Sequence, residues 1–154
     1  MNRKGFIGGS DCVRIMEGDW LRLWQVKTGR VESDDLTDNI AVQLGIHTEG
    51  FNLGWFEKQH DCILGKHQYE VEMQIGIVPA KGIIDAMWEE AIVEAKHTND
   101  RNNMEGMIEK YMPQLQLYCH LNKANGAYLS VIFGNGRWES SYVSYNYNYF
   151  DSMW

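Results

Sequence analysis

Two short segments, KGIIDAMW at 81–88 and EAIVEAK at 90–96, meet at Glu89–Glu90 and carry Asp85, Glu94 and Lys96 among apolar neighbours. Both are too short for stable helices and contain β-branched residues, so together they read as two strands joined by a tight turn. Side chains alternate along a strand. Glu94 and Lys96, two apart, therefore share a face while Ala95 points away. A hairpin centred between 89 and 90 sets Asp85 opposite Glu94. Two carboxylates and an amine then converge beside Ile83, Ile84, Ile92 and Val93. Like charges that close cost free energy unless a cation lies between them. Mg²⁺ suits such a place because it takes hard oxygen ligands and retains waters. As an isolated pattern, D-x8-E-x-K is more often a solvated Lys–Glu pair beside a turn, so the surrounding sequence has to decide.

Around this hairpin the pattern is mixed. Residues 10–29 have helical spacing in two pieces that meet near Gly18–Asp19, with Val13, Met16, Trp20, Leu21 and Trp24 as the apolar stripe. A second helix is expected over 38–60, burying Ile40, Leu44, Phe51, Leu53, Trp55 and Phe56 and weakened by Gly45, Gly50 and Gly54. Residues 67–78 alternate as a strand. Residues 105–122 return to helical spacing, with Pro113 as a kink or as the start of the regular part. Strands at 127–133 and 137–149 follow, joined at Gly134–Asn135–Gly136, a hairpin signal. The order predicts one mixed α/β domain over 1–154, a central mixed sheet flanked by helices. Trp20, Trp24, Trp55 and Trp88 are expected in the core, and YVSYNYNYF on an edge strand or a subunit contact.

The net charge is −7, which argues against coating nucleic acid by bulk electrostatics. The charge is uneven, however: residues 1–30 hold six basic and three acidic groups, the rest eight basic and eighteen acidic. A local phosphate contact beside an acidic metal site gives that asymmetry, and so does chance in a small acidic protein. Cys12, Cys62 and Cys119 have no metal-site spacing, cannot supply four cluster ligands, and read as free thiols. No run of about 20 apolar residues crosses a bilayer. The first residues lack an apolar signal core, so a cytoplasmic protein is expected, in the host cell if the source is viral.

Three further stretches bear on the hairpin. Glu49 in LGIHTEG adds a third carboxylate, otherwise a surface glutamate. Gln114 and Tyr118 in PQLQLY are four apart and share a helical face, a site or simply a helix surface. In IGGSD, Gly8 and Gly9 allow close backbone approach and Ser10 is placed as a helix N-cap, a plain cap or an anion site. His47 and His97 lie near the acids in sequence, where a hydrogen bond behind the metal ligands is open to either.

In this order, GFIGGSD with LWQVKTGR, LGIHTEG, GIIDAMW, AIVEAK and YMPQLQLY resemble the phage lambda exonuclease and YqaJ viral recombinase family of PD-(D/E)xK nucleases. The resemblance runs through most of the chain. It implies a restriction-endonuclease-like core that cleaves DNA with Mg²⁺, Mn²⁺ being able to substitute. By the same resemblance Asp85, Glu94 and the main-chain carbonyl of Ala95 hold the metal. Glu49 reaches the metal site, Lys96 is the catalytic lysine, and Gln114 and Tyr118 form the Gln-x-x-x-Tyr motif. Arg3, with Gly9 and Ser10, matches the grip on a 5′-phosphate. Ile84-Asp85-Ala86 departs from the usual Pro-Asp-Gly. A single-strand annealing protein as partner and a homo-oligomeric ring trimer are further implications.

The expected reaction is phosphodiester hydrolysis by water activated at the metal, running 5′→3′ on linear duplex DNA in phage-type recombination. Two other readings stand beside it: an endonuclease or structure-specific nuclease of the same fold, and a non-catalytic module that binds DNA ends.

Overall fold

The computed structural model describes residues 5–154. Three helices come first: α1 (Gly9–Met16), α2 (Trp20–Lys27) and the long α3 (Ile40–His60). The strands β1 (Tyr69–Ile75), β2 (Val78–Ile84), β3 (Ala86–Trp88) and β4 (Ala91–Thr98) follow. Then come α4 (Met104–Asn122), β5 (Gly126–Phe133), β6 (Arg137–Ser144) and α5 (Tyr147–Met153). β1 and β2 form an antiparallel ribbon, and the main sheet runs β3-β4-β5-β6. Within it β4 and β5 are parallel, connected through α4, while the outer pairs are antiparallel.

α3 and α4 cover opposite faces of this sheet. Val93 and Ala95 pack with Leu53 and Phe56 of α3, whereas Ile92 packs with Leu115, Leu117 and Cys119 of α4. A strand covered on both faces is apolar along its length, which is why residues 91–95 are all buried. The two-residue alternation then places Glu94 and Lys96 on the α4 side with Ile92.

The hairpin turns at Glu89–Glu90 as its sequence predicts, with Glu89 at φ +53° and Ala86 opposite Val93. One residue further, that register sets Asp85 against Glu94. KGIIDAMW is nevertheless not one strand. It divides at Asp85, β2 pairing with β1 and β3 with β4. The Asp85 carboxylate accepts the Ala95 N–H at 2.9 Å, a side-chain bond in place of a main-chain one, and frees the chain to change sheets.

Other expectations are corrected. α3 runs unbroken through its glycines from an Asn39 cap, but buries Asn52, Leu53 and Phe56 and leaves Ile40, Leu44 and Phe51 exposed. The helices α1 and α2 break where expected and Val13 is buried, yet Met16, Trp20, Leu21 and Trp24 face solvent; α1 also buries Cys12, and in α2 Leu23 is the buried residue. Trp55 and Trp88 are half-buried. The last strand stops at Ser144. Asn146 caps α5 by accepting the Tyr149 N–H at 3.0 Å, and Phe150 stacks on His120, so YNYF is helical. The three cysteines are free, Cys12 and Cys119 buried. Among the described residues no helix is long and apolar enough to cross a membrane.

Tyr118 fixes how close α1 and β2 come to α4. A Cβ at Gly82 would lie 2.6 Å from the Tyr118 ring, and one at Gly9 would lie 2.6 Å from Gln114 Cγ. Packing thus explains Gly9 without any ligand. Gly82→Ala should lower unfolding free energy by about 1–3 kcal/mol, the usual effect of overpacking, measured by urea denaturation. An unchanged midpoint would contradict this packing.

Candidate functional site

Glu94 lies at the centre of the site, 2% exposed. Its Oε1 accepts from Gln114 Nε2 and from Lys96 Nζ, both at 2.6 Å. Its Oε2 is buried and has no hydrogen-bond partner among the described residues. Burial, with the charge of Asp85 adding to it, pushes the Glu94 carboxyl up to about 8. Burial alone would lower the Lys96 amine; the charges of Glu94 and Asp85 outweigh that and raise it, so the amine stays protonated. The Lys96 ammonium also lies 4.9 Å above the centre of the Tyr111 ring.

Asp85 is the second acid, 8% exposed. Its Oδ2 takes the Ala95 N–H, and its Oδ1 takes Gln68 Nε2 at 3.3 Å. The same Gln68 amide donates to Glu49 Oε1 at 2.5 Å, drawing the third acid in from α3. Burial raises both carboxyls, and at Glu49 the Asp85 charge raises it further. Asp85, Glu94 and Lys96 are therefore brought together as their spacing predicts, and Glu49 and Gln114 join them as the family resemblance implies. Tyr118 lies beside them on the same face of α4 as Gln114, and burial, with the Glu94 charge adding to it, raises its hydroxyl.

Two contributors have no signature in the sequence pattern. Gln68 sits at the head of an alternating strand segment and reads as its first polar residue. Asn52 is fully buried one turn after Glu49. It donates to Lys96 O at 3.0 Å and Ser130 O at 2.9 Å, and accepts from Ser130 Oγ at 2.6 Å and Trp138 Nε1 at 3.0 Å. These bonds tie α3 to the strand that carries Lys96.

Other candidates fall elsewhere. His97 bonds Thr48 Oγ1 at 3.1 Å and Gly134 O at 2.7 Å, tying the β5–β6 turn rather than the acids. His47 is exposed. Ser10 is not the cap of α1: the cap is Gly8, whose N–H goes to Asp11 Oδ2 at 2.8 Å. Gly9 and Ser10 line, with Phe6, Asp11, Lys81 and Tyr118, a cleft of about 100 Å³. Arg3 lies outside the described residues. Among the described basic residues of the N-terminal quarter, Arg14 pairs with Asp19, Arg22 with Asp34 and Lys27 with Asp11.

Among the described residues, no three acid, histidine or cysteine side chains close on one point as they stand. The Lys96 amine and the Gln68 amide hold the carboxylates instead. The donors nevertheless fit a hard divalent cation. Glu94 Oε2 is a buried acceptor without a hydrogen-bond partner among the described residues, and the charges of Asp85 and Glu49 oppose the ionisation of that carboxyl. The N–H and C=O of a strand residue face the same edge. The Ala95 carbonyl is therefore turned the way its N–H is, toward Asp85.

Solved structures share this architecture. An alkaline exonuclease (LHK-Exo) from Laribacter hongkongensis superimposes with a TM-score of 0.74 at 12% identity, over 98% of this chain and 83% of that one. A phage related exonuclease from Haemophilus somnus 129PT gives 0.71 at 12% identity, over 88% and 74%. The fold is that of the lambda-exonuclease-like nucleases. The model of the YqaJ-like viral recombinase domain matches residues 1–125, and the chain belongs to that family. No curated protein matches it.

Asn52→Ala removes the shared partner of Lys96 O, Ser130 and Trp138 Nε1. Leaving buried polar groups unpaired should lower stability by about 2–3 kcal/mol. Chemical denaturation checks this, and a loss under 0.5 kcal/mol, the scale of an ordinary surface substitution, would mean the network is not a tie.

Proposed function

We propose that this chain is a Mg²⁺-dependent deoxyribonuclease that degrades linear duplex DNA from 5′ ends. One observation carries the reading: a buried glutamate with a free oxygen, set against Asp85 and bonded to a charged lysine. A fold that needed only stability would not retain these groups together in its centre. The family and the exonuclease fold support the same reading.

Asp85, Glu94 and the Ala95 carbonyl would hold Mg²⁺, with Glu49 on its water shell or on a second ion. When bound, the cation supplies Lewis-acid activation of water and neutralises charge on the phosphate. The chain's own residues do the rest. Gln114 fixes the Glu94 carboxylate from one side, leaving Oε2 as the free donor. Lys96 stays protonated, so it stabilises charge developing on the scissile phosphate instead of abstracting a proton. Arg3, Gly9 and Ser10 are proposed to grip the terminal 5′-phosphate, the latter two from the cleft beside Tyr118. A single-strand annealing protein as partner and a ring of identical subunits belong to the same proposal.

Asp85→Ala and Glu94→Ala should each abolish Mg²⁺-dependent cleavage with the circular dichroism of the folded protein retained. Near wild-type cutting by either would remove the site assignment. Lys96→Ala should lower kcat by at least about 10²-fold with little change in DNA affinity. A loss in affinity alone would reduce Lys96 to a phosphate contact. On linear duplex labelled separately at its two ends, label should leave the 5′ end first, faster from a 5′-phosphate than a 5′-hydroxyl, and closed circles should stay intact. Cleavage of circles would favour an endonuclease, and 3′ label leaving first would reverse the polarity.

A further inference from the structure

Gln68 stands apart from the other site residues because its backbone is held against its own preference. It lies between the Gly65–Met87 bridge and the start of β1 at Tyr69, at φ +47°, with Lys66 two residues earlier at φ +49°. Side-chain-bearing residues seldom adopt that region, and one that does so beside a site calls for a compensating contact. Gln68 makes three. Its N–H donates to Asp85 O at 3.0 Å, and its Nε2 donates to Glu49 Oε1 at 2.5 Å and to Asp85 Oδ1 at 3.3 Å.

We infer that Gln68 is a positioning residue that sets Glu49 against Asp85 so that the two carboxylates are preassembled for a divalent cation. The inference rests on the metal-dependent reading above and deepens it. The two acids come from separate parts of the chain, α3 and the β2–β3 link, and the Asp85 charge opposes the ionisation of Glu49. A primary amide has two N–H donors and no charge. It can therefore hold two carboxylates side by side without neutralising them, and it yields to a cation that binds them more strongly. An arginine or lysine in this position would hold the acids as well but would also repel the ion. Asp85 has a second anchor in Ala95 N–H, whereas the hydrogen bond that draws Glu49 inward is the one from Gln68. Glu49 is thus the group that drifts when Gln68 is lost.

Glycine is the informative replacement, because it relieves the left-handed backbone while removing the amide. Three measurements on the full chain test the role: thermal melting without metal, Mn²⁺ titration by electron paramagnetic resonance, and cleavage across a Mg²⁺ series. Gln68→Gly should melt at or above the wild-type temperature without metal, yet bind Mn²⁺ at least about 10-fold more weakly, the usual loss when a residue behind a metal ligand is removed. Its cleavage should return to within about threefold of wild type at saturating Mg²⁺, as expected when preassembly and not chemistry is lost. Gln68→Met, which keeps the side-chain length without the donor, should weaken Mn²⁺ binding to the same extent. Unchanged Mn²⁺ affinity in both variants, with wild type binding and cutting normally, would overturn the positioning role. So would a variant that loses folding stability and affinity together while Gln68→Met retains both. Failure of wild type to bind Mn²⁺ or cut DNA would instead remove the metal-dependent reading itself.

Discussion

Everything in this molecule is arranged around the burial of the Glu94 carboxylate. An ionised carboxylate in a protein interior is costly unless paired and hydrogen-bonded. Here Lys96 and Gln114 satisfy one oxygen and the other has no partner among the described residues. That arrangement requires β4 to be covered on both faces, a helix on the α4 side to deliver Gln114, and a strand break at Asp85 to deliver the second acid. The parallel β4–α4–β5 unit and the divided β2–β3 segment are the folding solutions to those requirements. Removing one partner of such a cluster leaves the remaining buried polar groups unsatisfied.

The site is assembled from four separate parts of the chain, and each is fixed by a different device. Register fixes Asp85 against Glu94. The one-turn spacing of α4 places Gln114 and Tyr118 on a single face, and Gly9 and Gly82 let α1 and β2 close upon that tyrosine. Asn52 locks α3 to the backbone of Lys96. Gln68 spans the two acids that belong to different elements. Asp85 and Gln68 lie outside the helices and strands and are held by their own hydrogen bonds, as a centre that must hold charge in fixed geometry requires.

How much of this was readable from sequence differs by the range of the interaction. The hairpin at Glu89–Glu90, the pairing of Asp85 with Glu94 and the helix under Gln114 were legible, because they follow from local alternation, turn chemistry and helical spacing. The division of KGIIDAMW was not, since it depends on a side-chain bond to a main-chain N–H ten residues on. Gln68 and Asn52 were silent for the same reason: their partners lie 17–19 and 44–86 residues away. The outward faces of α2 and α3 ran against their apolar stripe, and Trp20 and Phe51 stand exposed where spacing alone places them inward. Helical periodicity identifies a face but not which neighbour covers it. The carboxyl-terminal YNYF alternates like a strand but follows an asparagine cap and docks Phe150 on His120, a tertiary contact overriding local preference.

The Glu94 oxygen that has no partner among the described residues and the facing Asp85 are together proposed to receive a divalent cation. An anomalous difference map from a crystal of the protein soaked in Mn²⁺ tests that most directly. A peak is expected in direct contact with Glu94 Oε2 and an Asp85 oxygen, with Lys96 still beside the cluster. A map without a peak there, with the Lys96–Glu94 and Gln68–Glu49 bonds undisturbed at high Mn²⁺, would contradict it.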